Sequence, residues 1–101
     1  MKFSFHPAAK YELSQAAEFY KQKELNLGLD FLEEVYSAIK RILEFPLSFQ
    51  KFSVNTRKCL INRFPFAIIY QIKEEGVIIL AITHLSRKPG YWIERAKKSD
   101  D

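Results

Sequence analysis

Apolar residues in the second half of the chain form three short runs that are separated by turn residues. The first run, Arg57 to Asn62, interleaves basic and apolar residues, as a half-buried strand does. The second, Phe66 to Ile72, and the third, Val77 to Ile82, are rich in aromatic or β-branched residues. Pro65 and Gly76 stand between the runs, where turns are expected. This pattern predicts an antiparallel three-stranded meander.

The first half of the chain has helical spacing instead. A short strand is predicted over residues 2–5, since its two phenylalanines alternate with polar residues. Pro7 then begins a helix whose apolar positions recur every three or four residues as far as Gln22. A second apolar stripe, from Leu32 to Leu43, predicts a second helix, which Pro46 ends.

The element order β-α-α-β-β-β predicts an α+β fold, with residues 1–101 forming one domain. We expect a helical hairpin packed on one face of a mainly antiparallel sheet, with Ile39 and Leu80 fully buried. The other face is expected to stay open as a concave surface for a partner. Residues 21–28 are expected to link the helices, residues 45–55 to be irregular, and residues 91–97 to form one or two helical turns.

Charge differs between the two halves. Residues 1–50 have a net charge of −1, whereas residues 51–101 have +5, and residues 51–73 contain five basic residues and no acidic one. A basic half favours a polyanionic partner, such as nucleic acid or an acidic protein. The alternative is ordinary surface charge.

Several classes of function are excluded by what the sequence lacks. Two histidines and one cysteine are too few for a metal site at useful spacing, and three glycines give no phosphate-binding loop, so no metal or cofactor is expected. No stretch approaches the ~20 apolar residues of a membrane span. Because Cys59 has no partner cysteine and the N-terminus has no signal-peptide pattern, we expect a cytoplasmic protein.

Candidate chemistry lies after the last strand. His84 can exchange a proton near neutral pH, Arg87 offers a planar fork to phosphate, and Tyr91 or Trp92 can stack on a base. The alternative is structural: His84 caps the strand, while the two aromatic residues pin the tail to the core.

Three groups of residues in this sequence carry a resemblance to a known protein family. The last is His84-x-x-Arg87-x-Pro89-x-Tyr91-Trp92-x-x-Arg95, and before it Arg63-Phe64-Pro65-Phe66 leads into Ile69-Tyr70. The first comprises Phe5-His6-Pro7-Ala8-Ala9, Phe19-Tyr20, and Gly28 before Phe31-Leu32. From residue 2 to about 95 the chain thereby resembles the RelE/ParE superfamily of bacterial type II toxin–antitoxin toxins, especially its plasmid-stabilisation branch.

The resemblance implies a small cytoplasmic toxin that a cognate antitoxin neutralises in a hetero-oligomer, and it leaves two targets open. RelE-like members cleave mRNA on the ribosome without a metal, as endoribonucleases. ParE-like members inhibit DNA gyrase and lack the catalytic set, and a toxin of this kind is expected to bind through its helical hairpin and tail.

If the chain is RelE-like, a base removes the 2′-OH proton, arginines hold the phosphate charge and an acid protonates the 5′-oxygen. The candidate catalytic residues are Arg57, Arg63, His84, Arg87 and Tyr91. The candidate RNA-binding residues are Lys51, Lys58, Lys88 and Arg95.

Overall fold

Two long helices and a five-stranded sheet make up most of the computed structural model, which describes residues 2–53 and 55–99. In chain order the elements are β1 (Lys2–Phe5), α1 (Pro7–Lys23), α2 (Leu25–Glu44), β2 (Gln50–Ser53), β3 (Thr56–Leu60), β4 (Phe66–Lys73), β5 (Gly76–His84) and α3 (Ile93–Ser99). The predicted α+β fold is confirmed, with one more strand than expected. No helix in this part of the chain is both long and apolar enough to cross a membrane.

The sheet has the order β1-β5-β4-β3-β2, so the two edges are β1 and β2. β1 runs parallel to β5, and the other neighbours are antiparallel. Gly76 pairs with Lys2 at a very close approach, because a Cβ atom on Gly76 would lie 2.1 Å from the Lys2 carbonyl oxygen. Its φ of +152° also favours glycine, so this residue permits β1 to join the sheet.

The main core lies between the helical hairpin and one face of the sheet. Phe31, Val35 and Ile39 of α2 pack there with strand residues such as Ile68 and Ile79, and all five are at most 2% exposed. Each buried side chain of this size contributes about 1.5–3 kcal/mol relative to exposure. The predicted burial of Ile39 is confirmed, and so is that of Leu80, which lies on the opposite face.

That opposite face is not the open concave surface expected from the sequence. α3 folds back across it, and Trp92 and Ala96 pack on Ile69, Leu80 and Ala81. The expectation was wrong because the tail has few apolar residues, so its pattern did not predict that it covers this face. The tail docks through contacts with strands that are distant in the sequence. α3 itself confirms the one or two helical turns predicted for the tail.

Two predicted connections also differ from the structure. Residues 21–28 do not form a loop, because α2 begins at Leu25 and only Glu24 separates the two helices. Gly28 therefore lies within α2, where a Cβ atom would be 2.9 Å from the Lys21 Cβ and 3.1 Å from the Ala17 carbonyl oxygen. Residues 45–55, expected to be irregular, contain β2, whose four exposed residues carry no alternating pattern; Val54 lies outside the described residues.

Candidate functional site

The candidate catalytic residues occupy three separate places in the structure. Arg57 lies on β3 beside the loop that follows α2. Arg63 lies in the turn between β3 and β4 and faces α2. His84, Arg87 and Tyr91 lie together at the end of β5 and the start of the tail. The sequence expectation that the sheet presents all five side chains together is therefore not met.

Arg57 holds the loop that follows α2. Its Nη1 atom donates to the carbonyl oxygens of Leu47 and Phe49, at 3.2 and 2.9 Å. Its cross-strand neighbour Tyr70 supports the same loop, because the Tyr70 hydroxyl donates to the Pro46 carbonyl oxygen at 2.6 Å. Burial raises the pKa of Tyr70 to about 12. These contacts give both residues a structural role.

Arg63 is paired with carboxylates of α2. Its Nη2 lies 3.3 Å from an Asp30 carboxylate oxygen, and its Nη1 lies 3.8 Å from Glu34. Its backbone has a φ of +71°, and its guanidinium lies 5.6 Å from the Phe64 ring centroid. Because its side chain is 56% exposed, solvent screens these pairs and each is weak. The pairs nevertheless direct the guanidinium toward the helical hairpin.

The His84 side chain is hydrogen-bonded within the turn that follows β5. The Ser86 backbone N–H donates to His84 Nδ1 at 3.0 Å, and the Ser86 hydroxyl lies 2.7 Å from the same atom. Because a backbone N–H can only donate, Nδ1 is the acceptor and the neutral ring carries its proton on Nε2. The unprotonated nitrogen of the neutral ring, Nδ1, therefore already accepts a hydrogen bond. The Phe66 ring, 5.1 Å away between centroids, packs against the imidazole.

Tyr91 lies against two arginines. The guanidinium carbons of Arg87 and Arg95 lie 3.6 and 4.9 Å from its ring centroid. Its hydroxyl is buried beside Thr83 and Glu12 without a hydrogen-bond partner among the described residues. Burial raises the pKa of Tyr91, and the Glu12 carboxylate adds to the rise. A raised pKa makes the hydroxyl harder to ionise, so it is less suited to act as a base.

Glu12 joins these arginines to the sheet. Its carboxylate takes two bonds from Arg95, at 2.9 and 3.0 Å, and lies 3.5 Å from Arg87 Nη1. The Ile82 N–H donates to Glu12 at 3.1 Å, while Arg95 donates to the Leu80 carbonyl oxygen at 2.9 Å. Because β1 ends at Phe5, this stretch of β5 lies beyond its parallel neighbour, and the ion pair supplies the hydrogen bonds that a strand would otherwise make.

Glu12 was not among the functional residues predicted from the sequence. The available signal was its position on the apolar stripe of α1, three residues after Ala9 and four before Ala16, both of which are buried. A glutamate in such a stripe requires a buried partner. Arg95, assigned to RNA, is that partner, and its side chain is only 16% exposed.

The other candidate RNA-binding residues are separated from one another. Lys51 and Lys58 lie on β2 and β3, and Lys88 is exposed in the segment before α3. Lys51 and Lys58 are on adjacent strands but face opposite sides of the sheet, since Lys51 is opposite Arg57 and Lys58 is opposite Gln50.

An apolar groove lies between α1 and α2 on the outer side of the hairpin, with a volume of about 440 Å³. Leu25 and Leu29 line it and are 61% and 58% exposed. Charged side chains of both signs surround them, namely Lys10, Glu18 and Lys21. Exposed leucines beside a groove are typical of a surface that binds another protein.

Comparison with known proteins gives a family match and matches to solved structures. The family model described as "ParE toxin of type II toxin-antitoxin system, parDE" matches residues 3–89. A solved structure, "Chromosomal ParDE TA system from P. aeruginosa", has a TM-score of 0.74 and 16% sequence identity, over 85% of this chain and 97% of that chain. At this identity the likeness shows a shared fold. No curated protein sequence matches the chain.

Proposed function

Because the chain belongs to the ParE toxin family of type II toxin–antitoxin systems, we propose that it arrests growth by binding and inhibiting DNA gyrase, without catalysing a reaction. The family match confirms the resemblance to the RelE/ParE superfamily and supports a cognate antitoxin as partner. The target and the mode of inhibition are our proposal. It places the action of the toxin in the cytoplasm, where gyrase works.

One observation carries the proposal: the candidate catalytic arginines already have partners within the protein. Arg63 and Arg87 lie beside carboxylates, and Arg57 donates to two loop carbonyl oxygens. To hold an RNA phosphate, Arg57 would have to release the loop, while Arg63 and Arg87, which are more than half exposed, would have to exchange weak carboxylate partners. His84 and Tyr91 add to the difficulty, because one has its basic nitrogen occupied and the other has a raised pKa.

A protein target suits the surface of the helical hairpin. The α1–α2 groove offers exposed leucines for burial and a charged rim for orientation, which is the usual composition of a binding patch. Leu29 is a suitable probe because its side chain is more than half exposed and its replacement leaves the core intact. We propose that this face contacts gyrase.

A second candidate is a ribosome-dependent endoribonuclease. It is favoured by the proximity of His84, Arg87 and Tyr91 at the end of β5, where the Arg87 N–H donates to the His84 carbonyl oxygen and the guanidinium covers the tyrosine ring. In this alternative, RNA would displace Glu12 from Arg87.

The two candidates are distinguished by two assays on the purified protein. One measures supercoiling of relaxed plasmid by gyrase, and the other maps mRNA cleavage on translating ribosomes. We expect inhibition of supercoiling, which Leu29→Glu abolishes and His84→Gln leaves intact. Leu47→Glu is the matched control, because Leu47 is 71% exposed and lies outside the groove. Site-specific mRNA cleavage that His84→Gln removes, with no effect on gyrase, would overturn the proposal.

A further inference from the structure

Most residues that line the α1–α2 groove repeat along each helix at alternating intervals of four and three. On α1 the groove is lined by Lys10, Ser14, Ala17 and Lys21, and on α2 by Leu25, Leu29 and Leu32. Tyr36, four residues after Leu32, continues the second row and is 48% exposed. Such intervals are typical of helix residues that face a neighbouring helix. The hairpin therefore has two such rows, and Leu25 and Leu29 within them remain exposed.

The groove has the length and the shape that a third helix requires. From Lys10 to Lys21, α1 advances by about 16 Å, which is three helical turns. The middle of the groove has small residues, namely Ser14, Ala17 and Gly28, which leave space for larger side chains of a partner. Because helical backbone groups bond within their own helix, the groove offers no strand edge to an extended segment. Its geometry therefore favours a helical partner.

The two ends of the α1 row are positively charged. Lys10 and Lys21 are exposed, and neither forms an ion pair in the described part of the chain. Glu18 lies between them on the rim, where the Gln22 side chain donates to its carboxylate at 3.1 Å. Acidic residues about eleven positions apart on a partner helix would meet the two lysines. An acidic residue opposite Glu18 would be repelled.

We propose that the segment of gyrase that this toxin binds is an amphipathic helix, which enters the α1–α2 groove as a third helix beside the hairpin. Its apolar side chains, at intervals of three and four, pack on Leu25, Leu29 and Leu32. Acidic residues near its two ends face Lys10 and Lys21. The inference rests on gyrase as the target in the proposed function and adds the form of the segment that is recognised.

Photo-crosslinking to gyrase measures the form of the bound segment. A benzophenone amino acid replaces Leu29 in one variant and Tyr36 in another, and these positions lie about 10 Å apart along α2. If the segment is helical, the two sets of crosslinked gyrase residues should be displaced by about seven positions, whereas an extended strand would give about three. The control carries the probe at Leu47, which is exposed outside the groove, and should not crosslink to this segment.

Charge reversal tests the two ends of the groove. Lys10→Glu/Lys21→Glu should raise the toxin concentration needed for half-maximal inhibition of supercoiling about tenfold or more at low salt, with a smaller effect at high salt. Lys23→Glu/Lys40→Glu is the matched control, because it makes the same change in net charge at exposed lysines outside the groove. The control should stay within about twofold of the unmodified toxin.

Three outcomes would overturn the inference. In the first, gyrase is inhibited but the two sets of crosslinks are displaced by about three positions or by no regular amount; the proposed function then stands. In the second, the probe at Leu29 crosslinks a second copy of the toxin and not gyrase, which assigns the groove to self-association. In the third, charge reversal in the groove has no more effect than the matched control. If gyrase is neither crosslinked nor inhibited, the proposed function fails and the inference fails with it.

Discussion

Replacing Glu12 is expected to loosen the tail of the protein, because this carboxylate joins α1, β5 and α3. It accepts the Ile82 N–H at 3.1 Å and two N–H groups of Arg95 at 2.9 and 3.0 Å. The side chains of Glu12 and Arg95 are only 12% and 16% exposed, so solvent screens their attraction little. Removing one member of a buried pair costs about 3–5 kcal/mol, since the other is left uncompensated. Glu12→Ala should lower the free energy of unfolding by this amount.

Glu12→Gln separates charge from hydrogen bonding. The amide oxygen can still accept the Ile82 N–H, so we expect a smaller loss of about 1–3 kcal/mol. Urea titration followed by tryptophan fluorescence is suited to the measurement, because Trp92 is the single tryptophan and lies in the segment that Arg95 anchors. Glu18→Gln is the control on the same helix; its side chain is exposed, and the change should stay within about 0.5 kcal/mol.

A double-mutant cycle gives the strictest form of this test. Combining Glu12→Gln with Arg95→Met should reveal a coupling energy of about 1 kcal/mol or more. A coupling near zero, or a cost for Glu12→Ala no greater than that for Glu18→Gln, would refute the idea that the pair fastens the tail to the sheet.

Three further predictions concern the rest of the fold. Gly28→Ala should lower the free energy of unfolding by about 1–3 kcal/mol although alanine favours helices, because its Cβ would enter the contact between α1 and α2; Asn26→Ala, at an exposed position, is the control for urea titration, and an equal effect at both would contradict the close-contact explanation. Tyr70 ionises at about pH 12 in the folded protein and near pH 10 when unfolded, so stability should fall between these values as pH rises; the fall should be shallower in Tyr70→Phe, and an unchanged slope would be evidence against this role. Ile39→Ala and Leu80→Ala should each cost about 2–5 kcal/mol and abolish toxicity by unfolding, whereas unchanged thermal melts would refute the packing of both faces.

Local pattern was sufficient to predict most of the secondary structure. The alternation from Arg57 onward and the apolar runs after Pro65 and Gly76 correspond to β3, β4 and β5, and Pro7 begins α1 as predicted. The predictions failed at positions where tertiary contacts determine the local structure. Gly28 suggests a loop in the sequence, but it lies within α2. A small residue is needed there because α1 approaches closely.

The candidate site was less predictable, because charge along a sequence does not reveal which charges are paired. The only acidic residue between Arg87 and Arg95 in the sequence is Glu94. The carboxylate that pairs with both arginines belongs to Glu12, which lies more than 70 residues earlier. Arg95, which looks available for phosphate in the sequence, is therefore already bound in a buried pair. The position of Glu12 within the apolar stripe of α1 was the sequence feature that indicated such a partner.

The pairing of β1 with β5 has a consequence for synthesis of the protein. Lys2 pairs with Gly76, and Glu12 with Ile82 and Arg95, so each waits for a partner that is synthesised about 70 residues or more later. At about 5–20 residues per second, a chain of 101 residues takes about 5–20 s to translate. During that time α1 and α2 can associate, but the sheet beneath them cannot close. The sheet therefore closes only after β5 has been made, and termination before Gly76 yields a fragment that lacks the β5 partner of β1.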